Sequence, residues 1–122
     1  MLKVQEEIRE FLTERDWVTD DVAGYVKSIS IEAAELLEHF QWSEPTATEL
    51  RKDPEKLEKV KKELADILIY SLDLAVMLGA DAEEIIRAKM AHNGKKYAVH
   101  LVKGKQGAVK DIQKEWRAKG IN

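Results

Sequence analysis

The stretch from Asp53 to Gly79, DPEKLEKVKKELADILIYSLDLAVMLG, constrains the fold more than any other part of the chain. Asp53 followed by Pro54 matches an N-cap residue with proline at the first helical position, where a missing N–H costs nothing, and Gly79 suits the left-handed position just past a helix end. Between these signals Leu57, Val60, Leu64, Ile67, Leu68, Ser71, Leu72, Ala75 and Leu78 recur at steps of three and four. Ile69, Val76 and Met77 fall off that stripe, so apolar surface wraps much of the circumference in the second half. A helix of this kind calls for packing on two sides.

Other segments carry the same helical period. Val4, Ile8, Phe11 and Leu12 predict an amphipathic helix over roughly residues 2–15. Thr19 or one of the aspartates after it caps a second helix, whose apolar residues run from Val22 through Tyr25, Val26, Ile29, Ala33, Leu36 and Leu37 to Phe40, ending at about Gln41. A further helix is expected from Ala82 to about Tyr97. The stretch AVHLVKGKQG reads as a loop before a short last helix with Val109, Ile112 and Trp116 on one face, ending at Gly120. No strand pattern or internal repeat stands out. The expected fold is all-α, an antiparallel bundle of about four to five helices completed by oligomerisation, with a helical domain at 1–98 and a C-terminal loop and short helix at 99–122.

Composition narrows the function. A chain of 122 residues, 44% hydrophobic, can build one core. The 20 basic and 23 acidic residues leave a net charge of −3, so no global field favours a nucleic-acid polymer or an anionic membrane. The absence of cysteine removes disulfides, thiolate metal sites and cysteine nucleophiles together. The N-terminal residues lack the apolar core of a signal peptide, and the most apolar run is broken by Asp73 and too short to span a bilayer. A cytoplasmic protein is expected.

Two clusters of acid carry the chemistry. In SIEAAELLEHFQW, Glu32, Glu35 and Glu38 lie at steps of three, which on an α-helix fall back about 60° each and form a slanted strip. Measured from the apolar stripe, Glu32 stands about 80° away, Glu35 about 140°, and Glu38 near the opposite side. Glu32 and Glu35 can therefore border a core, while Glu38 faces solvent. Glu63 and Asp66 repeat the arrangement on the Asp53–Gly79 helix, with Tyr70 one turn on, and the intervening chain is long enough for an antiparallel return. A single E-x-x-E is commonplace on a solvated helix face. Two copies on adjacent apolar helices bring like charges together, which a hard divalent cation such as Mg²⁺ would neutralise through oxygen ligands. Lys89, Asn93 and Lys96 share a face of a later helix and have donors suited to phosphate oxygens, although for the lysines taken alone ordinary surface charge is the better explanation.

These blocks, together with FLTERDW, KKELADILIYSLDLA and KMAHNGKKY, resemble the MazG-like all-α nucleoside triphosphate pyrophosphohydrolases, and within them the small single-domain dCTP pyrophosphatase type. The likeness covers roughly residues 8–97. It implies a helical hydrolase, a homodimer or dimer of dimers, that uses Mg²⁺, with Mn²⁺ as a substitute, to split a nucleoside triphosphate, of deoxynucleotide type, into monophosphate and pyrophosphate, as in house-cleaning of non-standard nucleotides. Glu32, Glu35, Glu63 and Asp66 would then be catalytic metal ligands. Lys89, Asn93 and Lys96 would contact phosphates, and Trp17, Trp42 and Tyr70 would lie near the nucleotide. Glu38 matches a glutamate of lesser role. Where relatives preferring deoxycytidine have a His-x-Pro-Lys-Asn-Leu-like segment this chain has VTDDVAGYV, so base preference stays open, whereas Ala98 in place of a proline bears on the tail and not on the chemistry.

Other chemistries fit less well. A di-iron bundle needs Glu-x-x-His pairs, and the residues three before His39, His92 and His100 are Leu36, Lys89 and Tyr97. No phosphate-binding G-x-x-x-x-G-K-[ST] loop occurs. The remaining alternative is a non-catalytic helical oligomerisation or nucleotide-sensing regulatory module. It is favoured if the four carboxylates splay into solvent, and disfavoured if they converge beside a pocket.

Overall fold

The computed structural model of the protein describes residues 1–122 and contains seven helices and no strand: α1 (Lys3–Glu14), α2 (Ala23–Glu38), α3 (Ala47–Arg51), α4 (Pro54–Met77), α5 (Ala82–Lys96), α6 (Val99–Val102) and α7 (Ala108–Ala118). The five longer helices fall where periodicity places them. The two short ones were not expected. Thr46 and Glu49 cap α3 reciprocally, the Glu49 N–H donating to Thr46 Oγ1 at 3.2 Å and the Thr46 N–H to Glu49 Oε1 at 3.5 Å. Buried Leu50 then anchors α3 among the α1–α4 helices.

The ends of α4 follow its sequence. Asp53 Oδ1 accepts the Lys56 N–H at 3.2 Å, and Pro54 occupies the first turn. At the far end Gly79 adopts φ +64° while the Gly79 N–H meets Val76 O and the Ala80 N–H meets Ala75 O. This is a Schellman closure, which favours glycine because a side chain strains the left-handed backbone. The start of α2 differs from expectation: its N-cap is Val22, with no side-chain cap, and Asp21 Oδ1 accepts only the Ala23 N–H at 3.3 Å.

By contact the chain divides into two compact units, Met1–Ala82 and Glu83–Asn122. In the first, α1, α2 and α3 all pack on α4, and the α2–α4 pairing is the most extensive. Those two helices run antiparallel. The Thr19 N–H meets Met77 Sδ at 3.3 Å, the Tyr25 hydroxyl feels the charge of Asp73, Glu32 reaches Glu63 and Asp66, and Lys56 donates to Ser43 Oγ at 3.3 Å. Positions rise along one helix as they fall along the other. Even so, Leu64, Leu68 and Ile69 on α4 and Val26, Ile31 and Leu37 on α2 stay about half exposed or more. No helix is long and apolar enough to cross a membrane.

On α1 the stripe does not close a dry core. Leu12 is buried, but Val4 and Phe11 are half exposed. The tight anchor is polar: Gln5, at 0% exposure, donates from Nε2 to Ala80 O and accepts the Ala82 N–H on Oε1, both at 2.8 Å. One amide thus satisfies two backbone groups at the end of α4. Replacing it with leucine keeps volume but leaves a buried donor and acceptor unpaired. Gln5→Leu is expected to lower unfolding free energy by about 2 kcal/mol in urea denaturation, and an unchanged midpoint would refute the clamp.

In the second unit, the ring of His92 on α5 meets Trp116 of α7 edge to face at 5.4 Å and hydrogen-bonds the Asn122 carbonyl. Lys96 is 8% exposed, with Nζ 5.7 Å from the centre of the Trp116 ring and 5.3 Å from that of Tyr97.

Candidate functional site

The antiparallel register brings the two acidic strips together. One carboxylate oxygen from each of Glu32, Glu63 and Asp66 can be chosen so that all three lie within 4.8 Å of one another. Glu35, one turn along α2, stands close enough to raise the carboxyl pKa of both Glu32 and Glu63. Glu32 and Glu35 are half-buried and Glu38 is exposed, the order their helical angles give.

Crowding changes the protonation of the cluster. The Glu32 carboxyl is pushed up to about 7, first by its hydrogen bond with Glu35, then by burial, then by the charges of Glu35 and Asp66. The Glu63 carboxyl rises chiefly through burial, with the hydrogen bond to Glu35 next. Buried Oε2 atoms of both Glu32 and Glu63 have no hydrogen-bond partner. Orphaned carboxylate oxygens beside like charges fit a hard divalent cation, which supplies the missing partner and removes the repulsion together.

Asp66 also borders an open cavity of about 610 Å³ in the first unit, lined by Phe11, Trp17, Tyr25, Tyr70 and Asp73 among others. Its volume falls in the range of small-molecule sites. The end of α1 aims Trp17: Asp16 takes the left-handed conformation at φ +54°, and the Trp17 N–H returns to Leu12 O at 2.9 Å. Aspartate is among the few non-glycine residues that tolerate this backbone. Trp17 then meets Phe11 edge to face at 6.0 Å, and the Tyr25 hydroxyl donates to the Trp17 carbonyl at 3.3 Å. The block FLTERDW is thereby a helix end, a turn and a cavity wall in one.

Of the other residues singled out in the sequence, Trp42 belongs to the first unit and Lys89, Asn93 and Lys96 to the second. Trp42 does not line the cavity and is 89% exposed. In the second unit Lys89 Nζ lies 3.5 Å from the Asn122 carbonyl and the Asn93 carbonyl accepts the Tyr97 N–H at 2.7 Å. Conversely, sequence reasoning took Tyr25 for core and Asp73 only for an interruption of an apolar run. The signal was present: Asp66, Tyr70 and Asp73 are spaced four and three apart, on one face of α4.

Residues 27–112 match the model of the MazG-like family. The chain belongs to the MazG-like family. Among curated relatives, the mouse dCTP pyrophosphatase 1 is 33% identical over 97 residues, covering 78% of this chain and 57% of that protein. The chain thus spans little more than half the length of such relatives. A dATP/dGTP diphosphohydrolase of cyanophage S-2L is 61% identical over 31 residues, covering 25% of this chain and 30% of that protein. Among solved structures, a pyrophosphatase from Archaeoglobus fulgidus superposes with a TM-score of 0.65 at 35% identity, covering 79% of this chain and 90% of that one.

For this MazG-like chain the raised carboxyls fix a direction. Because the folded pKa of Glu32 lies above its ordinary 4.5, the folded state holds the proton more tightly, and stability falls as pH rises through the window from there to about 7. Without divalent cation the melting temperature should therefore decline across that window, and added Mg²⁺ should raise it more above the window than below. A Mg²⁺ effect that is equal at both ends, read by thermal melts, would contradict a cation bound to these groups.

Proposed function

We propose that the protein is a Mg²⁺-dependent nucleoside triphosphate pyrophosphohydrolase that converts a deoxynucleoside triphosphate to monophosphate and pyrophosphate. The observation that carries this reading is the convergence of Glu32, Glu63 and Asp66 at one edge of an aromatic-lined cavity that Asp66 also borders. The similarity to a dCTP pyrophosphatase, a dATP/dGTP diphosphohydrolase and a pyrophosphatase supports it. A non-catalytic module has no need of that convergence.

In this reading Glu32, Glu35, Glu63 and Asp66 hold Mg²⁺, or Mn²⁺ in its place. The ion, when bound, neutralises phosphate oxygens and makes a water more acidic. Glu35, close to both Glu32 and Glu63, would take the water's proton on its carboxylate. Trp17 and Tyr70 offer ring faces to the base and sugar, in a cavity with room for both. Lys89, Asn93 and Lys96 contact phosphates, supported by their common face on α5 and by the family pattern. A second copy, in a dimer or dimer of dimers, covers the exposed apolar residues of α2 and α4, with Trp42 among the side chains it reaches.

The activity is tested by incubating the protein with each dNTP and NTP, with and without Mg²⁺, while measuring pyrophosphate and monophosphate. Mg²⁺-dependent pyrophosphate from at least one of them is expected, and none from any would refute the assignment. Glu35→Gln should lower kcat/KM roughly 100-fold or more without loss of folded stability, because it removes a charge and no core volume. Full activity would take Glu35 out of the ligand set. Sedimentation at micromolar concentration should give a dimer or larger, and a monomer would contradict the covered face.

A further inference from the structure

Asp73 has no role in the cation cluster, and its position is costly. It is 6% exposed, yet burial alone raises its carboxyl pKa, with no hydrogen bond or positive charge to offset it. Its oxygens have no protein partner and reach open space on the wall of a cavity, a setting that suits donors arriving with a ligand. Glu7, the cavity's other carboxylate outside the cluster, is exposed, where water competes for every hydrogen bond. Asp73 stands two turns along α4 from Asp66, about 10 Å, which is the scale of a nucleoside. Tyr25 and Tyr70 line the same cavity as Asp73, and Tyr25 feels the charge of Asp73.

We infer that Asp73 reads the base: its carboxylate accepts hydrogen bonds from a donor edge, so the cavity selects nucleotides whose base carries an exocyclic amino group, guanine foremost, over uracil and thymine. A carboxylate offers acceptors only. Guanine presents two adjacent donors, N1–H and the 2-amino group, which a carboxylate takes with both oxygens. Adenine and cytosine present one amino group beside a ring nitrogen lone pair. In uracil and thymine the single ring N–H is flanked by two carbonyl oxygens, which repel the carboxylate. This assignment rests on the cavity's being the nucleoside site proposed above.

The test is calorimetric binding of dGMP, dAMP, dCMP and dTMP to the full chain without divalent cation, at about pH 8, well above the ordinary carboxylate range. No turnover is needed. The expected result is dGMP tightest and at least about 10-fold tighter than dTMP, with Asp73→Asn bringing the two within about threefold. Removing a buried, unpartnered charge should also raise the melting temperature of Asp73→Asn, so misfolding does not obscure the comparison. Equal affinity for dGMP and dTMP, or an Asp73→Asn variant that keeps the ratio, overturns the assignment. Binding of none of the four overturns it too, while the Mg²⁺-dependent hydrolysis assay decides the catalytic reading separately.

Discussion

The repulsion among four carboxylates is the constraint on which the rest of the structure turns. Packing α2 antiparallel on α4 buries apolar side chains along both helices, and the same register forces Glu32, Glu63 and Asp66 to within 4.8 Å. Sliding α2 by one turn would mismatch Tyr25 with Asp73 and Thr19 with Met77 and still leave a glutamate of the α2 strip opposite Glu63 and Asp66. The fold therefore holds its charges together at a cost. Orphaned Oε2 atoms on Glu32 and Glu63 and a Glu32 carboxyl near pKa 7 are the visible signs of that cost. A divalent cation turns the same feature from a destabilising defect into a ligand set.

One face of α4 then joins two kinds of chemistry. Asp66 belongs to the cluster, Tyr70 and Asp73 follow at helical steps, and all three border the cavity. A rigid helix thus fixes the distance from a phosphate-binding end to an aromatic end. The polar clamp by Gln5 and the left-handed turn at Asp16 set the opposite wall, holding α1 against the end of α4 and placing Trp17 at the cavity's rim. Those devices explain why α1 spends its apolar stripe on a cavity that stays open.

Local chemistry was legible in the sequence wherever a residue acts on its immediate neighbours. Asp53, Pro54 and Gly79 mark the ends of α4 because capping and left-handed backbone are decided within a few residues. The T-x-x-E box of α3 was equally local and was overlooked between two prolines. What periodicity gives is a face, never what covers it. Phe11 lines an opening, Trp42 stands in solvent, and Tyr25 turned out to be cavity wall, although all three carry a plain apolar or aromatic signature. The acidic strips were readable as pairs, since their angles follow from helix geometry, and their convergence required the register that only tertiary packing sets. Asp73 was hidden for the opposite reason: one charge in an apolar run looks like an interruption until the space beside it is known.

The central claim is that this cluster is a cation site. Crystals grown with Mn²⁺ and examined by anomalous diffraction at the manganese edge test it most directly. The account predicts a strong peak bonded to oxygens of Glu32, Glu63 and Asp66, lost in Glu63→Gln. A peak only at other residues, or none beside these carboxylates at saturating Mn²⁺, would contradict it.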